Sequence, residues 1–208
     1  MLKIVNLGHA CFMFQNDVSF LIDPYKNHSV PNLKMPSVSV NKVFVSHEHH
    51  DHNGVDLVNV VPTNKEIQYK TITVPHDHHN GSHRGLNLMH LFYIDGYKII
   101  HTGDLGCLPS EEVLEEMKNT DILLAPINGF YTISAEELVK IMKLVNPKVT
   151  IPMHYFIKEN LSGYPDGGQI DIFKRLVGTY KEIDDNYLEV NKELFKNRVV
   201  IFDKALQG

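Results

Sequence analysis

Short apolar runs, broken at close intervals by turn residues, fill the first hundred positions. LKIVNL, CFMF, VSFLID and KVFVS are β-rich segments that end at turn residues or at polar punctuation such as Asp23-Pro24. EIQYKTITV alternates and stops at Pro75, while NLMHLFYID and YKIIHTGD flank Asp95-Gly96, a strong two-residue hairpin signal. Beyond residue 110 the period becomes helical. Ser110 before Glu111 and Glu112 reads as an N-cap with an acidic first turn, opening EEVLEEMKN. Ser134 does the same for EELVKIMKLV, which stops at Asn146-Pro147. DILLAPI and KVTIPM are strands, IDIFKRLVG a third helix and RVVIF a last strand. Strands first and alternating strands and helices later predict sheet against sheet with helices outside, a layered α/β sandwich.

Composition narrows the class. The chain has 208 residues, enough for one domain with a substantial core, so residues 1–208 are expected to form a single domain. Hydrophobic residues make up 43% and charged residues 22%, an ordinary globular balance. The net charge of −5 argues against a general nucleic-acid binder, which carries a basic surplus. Cys11 and Cys107 stand far apart, which is no disulfide framework. The N-terminus has neither the unbroken apolar core nor the cleavage site of a signal peptide, and no apolar run approaches a membrane span. A cytoplasmic location is the expectation. The oddity is histidine: 13 of them, against three arginines.

Four of those histidines fall within His47 to His52, together with a glutamate and an aspartate. Such crowding is costly outside a metal site, because protonated imidazoles repel and neutral ones leave donors and acceptors to satisfy. The spacing is His47-x-His49-x-Asp51-His52, between the strand KVFVS and the turn Asn53-Gly54. His47 and His49, two apart, can grip one cation, and Asp51 and His52, past the turn, can face a second. Imidazole and carboxylate suit zinc, and also manganese or iron. Glu48 and His50 are expected to point elsewhere.

This HxHxDH run resembles the signature of the metallo-β-lactamase superfamily. The resemblance implies a four-layer αβ/βα sandwich, with two mixed sheets, helices on the outer faces and a dinuclear metal site at one edge. It also implies three further ligands at strand ends, in order: a histidine in HDHHNGSHRG, Asp104 in HTGDLG as the carboxylate shared by both metals, and His154 in IPMHY. For the first of these, His76 lies nearest the preceding strand and is favoured over His78, His79 and His83. LGHACF, LIDPY, RGLN, HTGDLG, the FYT turn and IPMHY together resemble small bacterial metal-dependent hydrolases related to ascorbate-phosphate lactonase. Asn128 departs from that branch, which more often has glycine there.

The implied function is hydrolysis of a small ester, lactone or phosphoester by a hydroxide bridging two divalent metal ions, with a small molecule as substrate. An anionic ester or lactone comes first and a phosphodiester second. Asp51 is expected to serve both as ligand and as the group that orients the nucleophile or takes its proton. His9, by resemblance, lies near the metals and is expected to stabilise oxyanion charge. Asp23 is read either as a turn cap or as a hydrogen-bond partner of a ligand histidine, and Tyr131 either as a core-edge residue or as a wall of the pocket. Tyr155 is read as packing, Cys107 as a buried inert thiol, and His90 and His101 as ordinary strand histidines. The roughly fifty residues from Asp104 to His154 leave no room for the inserted domain of nucleic-acid-processing members. A metal-dependent binding or sensing protein without turnover is the alternative from another class. A flavin-linked di-iron oxidase is disfavoured by His49, where that branch is acidic. The sequence leaves a homo-oligomer open.

Overall fold

The computed structural model describes residues 1–157, 163, 164 and 170–208. Strands dominate the first half: β1 (Lys3–Gly8), β2 (Cys11–Gln15), β3 (Ser19–Ile22), β4 (Ser39–Val40), β5 (Lys42–Phe44), β6 (Asn59–Val60), β7 (Gln68–Pro75), β8 (Leu86–Ile94) and β9 (Tyr97–His101). Then follow α1 (Glu111–Met117), β10 (Ile122–Pro126), α2 (Ala135–Val145), β11 (Val149–Met153), α3 (Ile170–Val177), β12 (Lys181–Ile183), β13 (Tyr187–Glu189) and β14 (Val200–Phe202). The expected strands and helices all form. The β8–β9 turn places Asp95 and Gly96 at φ 51° and 79°, the positive values a tight primed hairpin turn requires. Ser134 caps α2 in a full capping box with Glu137, and Asn146 ends the helix in the left-handed conformation.

Two five-stranded mixed sheets result, β13-β1-β2-β3-β5 and β11-β10-β9-β8-β7. Period-two alternation sorts their side chains between layers. Phe12, Phe14, Phe20 and Ile22 from one sheet meet Phe92, Ile99, Leu124 and Ile151 from the other in the central core. On its far side the second sheet turns Met89, Leu91, Ile100 and Leu123 toward Met117, Leu138, Ile141 and Phe173 of the three helices. On its far side the first sheet turns Val5, Cys11, Met13 and Leu21 toward Tyr25, Val30, Leu33 and Met35. Among the described residues that outer layer is irregular chain between β3 and β4 and contains no helix. Apolar burial holds it together with single hydrogen bonds such as Tyr25 hydroxyl to the Leu7 carbonyl and Met35 N–H to Asn27, none of which needs a helical period in the sequence. No helix among the described residues is long and apolar enough to cross a membrane.

Several connections at one edge of the sandwich carry the candidate residues. His9 lies in the β1–β2 turn, Asp23 follows β3, and the His47–His52 run follows β5. His76 follows β7, Asp104 follows β9 and His154 follows β11.

Candidate metal centre

Three of these residues, His9, Asp23 and His154, adopt left-handed backbone at φ 58°, 52° and 59°. Such a conformation costs on the order of 1–3 kcal/mol in a non-glycine residue and must be held by its surroundings. His9 and His154 hold each other: the His154 N–H donates to the His9 carbonyl at 3.0 Å. That bond ties the turn of the first sheet to the end of a strand in the second.

Two groups of ligand-type atoms result. His47, His49 and His76 place ring nitrogens within 4.8 Å of one another. Asp51, His52, His154 and His9 form a second group, and Asp104 also falls within that distance of His47 and His52. One oxygen joins the two: Asp104 Oδ2 lies 3.1 Å from His52 Nε2, 3.3 Å from His154 Nε2 and 3.6 Å from His76 Nε2. His78 instead meets Glu137 at 2.8 Å, and the rings of His79 and His83 face each other, so His76 alone of that segment reaches the cluster. Glu48 accepts from the Asn53 amide and His50 is exposed, both away from the cluster.

Proton counting fixes which nitrogens face inward. Asp23, fully buried, accepts from the Ser46 N–H at 2.6 Å and from the Ser46 hydroxyl at 2.7 Å. The single Ser46 hydroxyl proton is thus spent, so its oxygen accepts from His47 Nδ1 at 2.9 Å. His52 Nδ1 donates to Asp23 at 3.1 Å. Nε2 of both His47 and His52 is therefore turned toward the cluster, the ring orientation a metal ligand needs. Burial raises the Asp23 carboxyl, but the His52 hydrogen bond and the surrounding imidazoles outweigh it and bring it down to about 2. Asp23 thus caps no turn; it is an anionic anchor beneath two of the imidazoles.

The remaining titrations reflect burial and charge in the same way. Burial lowers His9 to about 4, assisted by the charge of His154, and lowers His47 to about 3, assisted by that of His52. Burial also works against charge on His52, yet the Asp104 and Asp23 carboxylates hold it well above the ordinary histidine range. Asp104 is held well below the usual carboxylate range, the charges of His154 and His52 overriding its burial.

The donor set fits divalent cations. His9 Nε2, His52 Nε2, His154 Nε2 and Asp104 Oδ1 are buried without a well-aligned hydrogen-bond partner among the described residues. An unsatisfied buried polar group costs ~1–3 kcal/mol. Four of them converging on one space, all imidazole or carboxylate, are the arrangement that cations satisfy.

The space above the cluster is a cleft of about 190 Å³ lined by His49, Asp51, His76, Arg84, Asp104, Tyr131, His154 and Tyr164. His9 packs against this group, its ring centroid 3.8 Å from that of His154 and its Nε2 3.3 Å from Asp51 Oδ2. Tyr131 is a pocket wall. Tyr155 is buried and donates to the Phe202 carbonyl, as expected of packing, whereas Cys107 is half-buried rather than sealed in the core. His101 is a strand histidine with both ring nitrogens satisfied, as expected. It donates from Nε2 to the Ala10 carbonyl at 2.9 Å and accepts the Gly103 N–H at Nδ1, linking the chain next to His9 with the chain next to Asp104.

Sequence reading assigned no role to Ser46, Arg84, Asn87 or Tyr164. Asn87, in the RGLN motif, accepts the Asp104 N–H at 2.9 Å and donates to the Thr102 carbonyl at 2.7 Å, fixing the loop that carries Asp104. Gly103 in that loop has φ 55°, and a Cβ there would collide with the Asn87 side chain and Ser46. Tyr164 donates to the Ser29 carbonyl at 2.8 Å and approaches Asp51 at 3.4 Å. Only the RGLN resemblance offered a signal for any of these; Tyr164 had none.

A model of the β-lactamase superfamily domain matches residues 3–154, and the chain belongs to that family. It is 30% identical over 204 residues to a UPF0173 protein of Pyrococcus abyssi, with 84% of this chain and 90% of the relative covered. A protein of Thermoplasma acidophilum named as a UPF0173 metal-dependent hydrolase is 28% identical, with 86% and 92% covered. Among solved structures, a candidate zinc-dependent hydrolase of the metallo-β-lactamase superfamily from Thermotoga maritima superposes with a TM-score of 0.71 at 29% identity. That match covers 97% of this chain and 98% of the other.

Proposed function

We propose that this metal-dependent hydrolase of the metallo-β-lactamase superfamily works with two divalent cations, zinc first and manganese or iron as alternatives, on a small ester or lactone. One observation carries the reading: a single Asp104 oxygen faces imidazoles of both groups, at 3.1 Å from His52, 3.3 Å from His154 and 3.6 Å from His76. His47, His49 and His76 would hold one ion, and Asp51, His52 and His154 the other, with Asp104 shared. When bound, such a pair polarises the oxygen of an ester or lactone and makes a water molecule acidic enough to attack near neutral pH.

The chain's own groups divide the remaining work. Asp51, held well below the usual carboxylate range by His9 and His52 against its burial, is anionic and positioned to orient the attacking water and take its proton. His9, neutral through burial and with Nε2 3.3 Å from Asp51 Oδ2, would stand where charge develops on the substrate oxygen. Burial and the Asp51 charge keep the Tyr164 hydroxyl protonated, and its proton goes to the Ser29 carbonyl, which holds the ring at the wall of the cleft. The cleft is smaller than the roughly 300–1,000 Å³ of drug-sized sites, which favours a small substrate. A small-molecule hydrolase of this kind needs no nucleic-acid partner, and a cytoplasmic setting suits its free cysteines.

The test is elemental analysis of protein purified without chelator or added metal, beside an Asp104→Ala variant, followed by a panel of lactones, carboxylic esters, thioesters and phosphodiesters. The expected result is close to two ions per chain, a clear fall in the variant, and turnover of lactones or esters. One ion or fewer in both proteins would remove the two-cation reading. Two ions with no turnover would point to a binding or sensing protein.

A further inference from the structure

Arg84 is the one guanidinium on the wall of the cleft, which Asp104, His154 and Tyr164 also line. Its place there is built. Asp77 accepts the backbone N–H of His79 (2.7 Å), Gly81 (3.0 Å), His83 (3.0 Å) and Arg84 (2.8 Å), folding the segment after His76 into a tight turn. A Cβ on Gly106 would collide with the His76–Asp77 backbone, so the turn seats directly on the loop after Asp104. The guanidinium then lies over the ring of Tyr131, 4.6 Å from its centroid, and 5.9 Å from that of Phe130.

Stacking of this kind orients a planar cation and leaves its in-plane N–H donors free. Among the described residues no carboxylate pairs with Arg84 and no acceptor takes its side-chain donors; Asp77, the acid closest in sequence, is engaged by backbone N–H groups. A half-buried guanidinium without a carboxylate partner among the described residues, stacked over Tyr131 at the wall of the cleft, is suited to bidentate capture of an oxyanion.

Resting on the hydrolase reading, we infer that the substrate carries an oxyanionic group, a carboxylate or a phosphate, remote from the bond that is cleaved. Arg84 is the residue that recognises it. The Phe130–Tyr131 turn acts through Arg84 as its support. The small cleft places the anion only a few bonds from the reacting carbonyl.

The test compares three activated esters with one leaving group on the zinc-loaded protein: 4-nitrophenyl butyrate, the mono-4-nitrophenyl ester of succinate, and 4-nitrophenyl phosphonoacetate. The wild type is expected to prefer at least one anionic ester in kcat/KM, and which one tells carboxylate from phosphate. Arg84→Gln is expected to reduce that preference tenfold or more, chiefly through KM, with a smaller loss on butyrate than on the preferred anionic ester; a charge-assisted hydrogen bond lost at such a site has about that effect. Arg84→Lys is expected to recover part of it. Equal loss on all three esters, or an unchanged preference in Arg84→Gln, overturns the proposal. If no ester is turned over, the hydrolase reading fails separately, and calorimetric binding of succinate and inorganic phosphate decides on Arg84. Binding at least tenfold weaker in Arg84→Gln supports the proposal; equal binding, or none by the wild type, overturns it.

Discussion

Two carboxylates face one imidazole at His52: Asp23 at Nδ1, 3.1 Å away, and Asp104 at Nε2, also 3.1 Å away. They hold its pKa well above the ordinary range, while His9, His47 and His101 are driven by burial to about 4, 3 and 4. The two shifts act oppositely on stability. Below about 6.5, the ordinary histidine value, the unfolded chain takes up protons that the three depressed imidazoles refuse in the folded state. Folding is therefore weakened progressively as pH falls from 6.5 toward 4. The His52 contribution is fully present below 6.5 and is lost only as pH rises through its raised value, so it adds no slope in this window. The Asp23 contribution, from a carboxyl lowered to about 2, persists down to the mid-3 range and is lost below it. Melting of chelated protein between pH 6.5 and 4.5 is accordingly expected to show Tm falling with pH. A level or rising Tm would contradict the assigned protonation states.

Among the elements, the segment between β7 and β8 shows how a loop is made rigid without regular structure. One carboxylate, Asp77, takes four backbone donors within eight residues, and those bonds hold its pKa well below the usual carboxylate range. The turn presents His76 on one side and Arg84 on the other. Asp77→Ala is expected to speed amide hydrogen exchange at His79, Gly81, His83 and Arg84 and to raise KM, with exchange in the sheets unchanged. Unaltered exchange at those four amides would show that contacts other than Asp77 shape the loop. The helices and strands were readable from the chain because each carries its own signal, such as the Ser110 and Ser134 caps or the Asp95-Gly96 turn. The Asp77 turn carried none. Its four bonds run from one side chain to backbone, and any sequence supplies backbone.

At the scale of the molecule, the candidate centre lies where the two sheets meet at one edge, and cations there would be cross-links between them. His47, His49, Asp51 and His52 belong to the loop after the first sheet's β5, while His76, Asp104 and His154 follow strands of the second. Ions bound to the folded state alone stabilise it by ~4 kcal/mol when present at a thousand times their dissociation constant. For a chain of this size each kcal/mol corresponds to roughly 2–4 °C in Tm. Removing metal with a chelator is therefore expected to lower Tm by about 10 °C, with recovery on adding zinc back. A Tm indifferent to chelator would mean that the imidazoles and carboxylates satisfy one another without cations.

By itself the chain determined the strands and helices, the layered sandwich and the crowding of His47, His49, Asp51 and His52, since periodicity and motif spacing are local and survive without coordinates; His9, His76, Asp104 and His154 entered through resemblance to the superfamily. Among His76, His78, His79 and His83 it could only favour the residue nearest the strand. Tertiary structure placed His76 against Asp104 and turned His78 to Glu137, because reach depends on which way a strand end points. Tertiary structure alone also decided that Asp23 anchors both His47, through Ser46, and His52, that His101 links two loops, and that Arg84 lines the cleft over Tyr131. These are contacts between segments 20 to 90 positions apart, and the chemistry of each residue taken singly is compatible with many neighbours. Packing of the two sheets selects one.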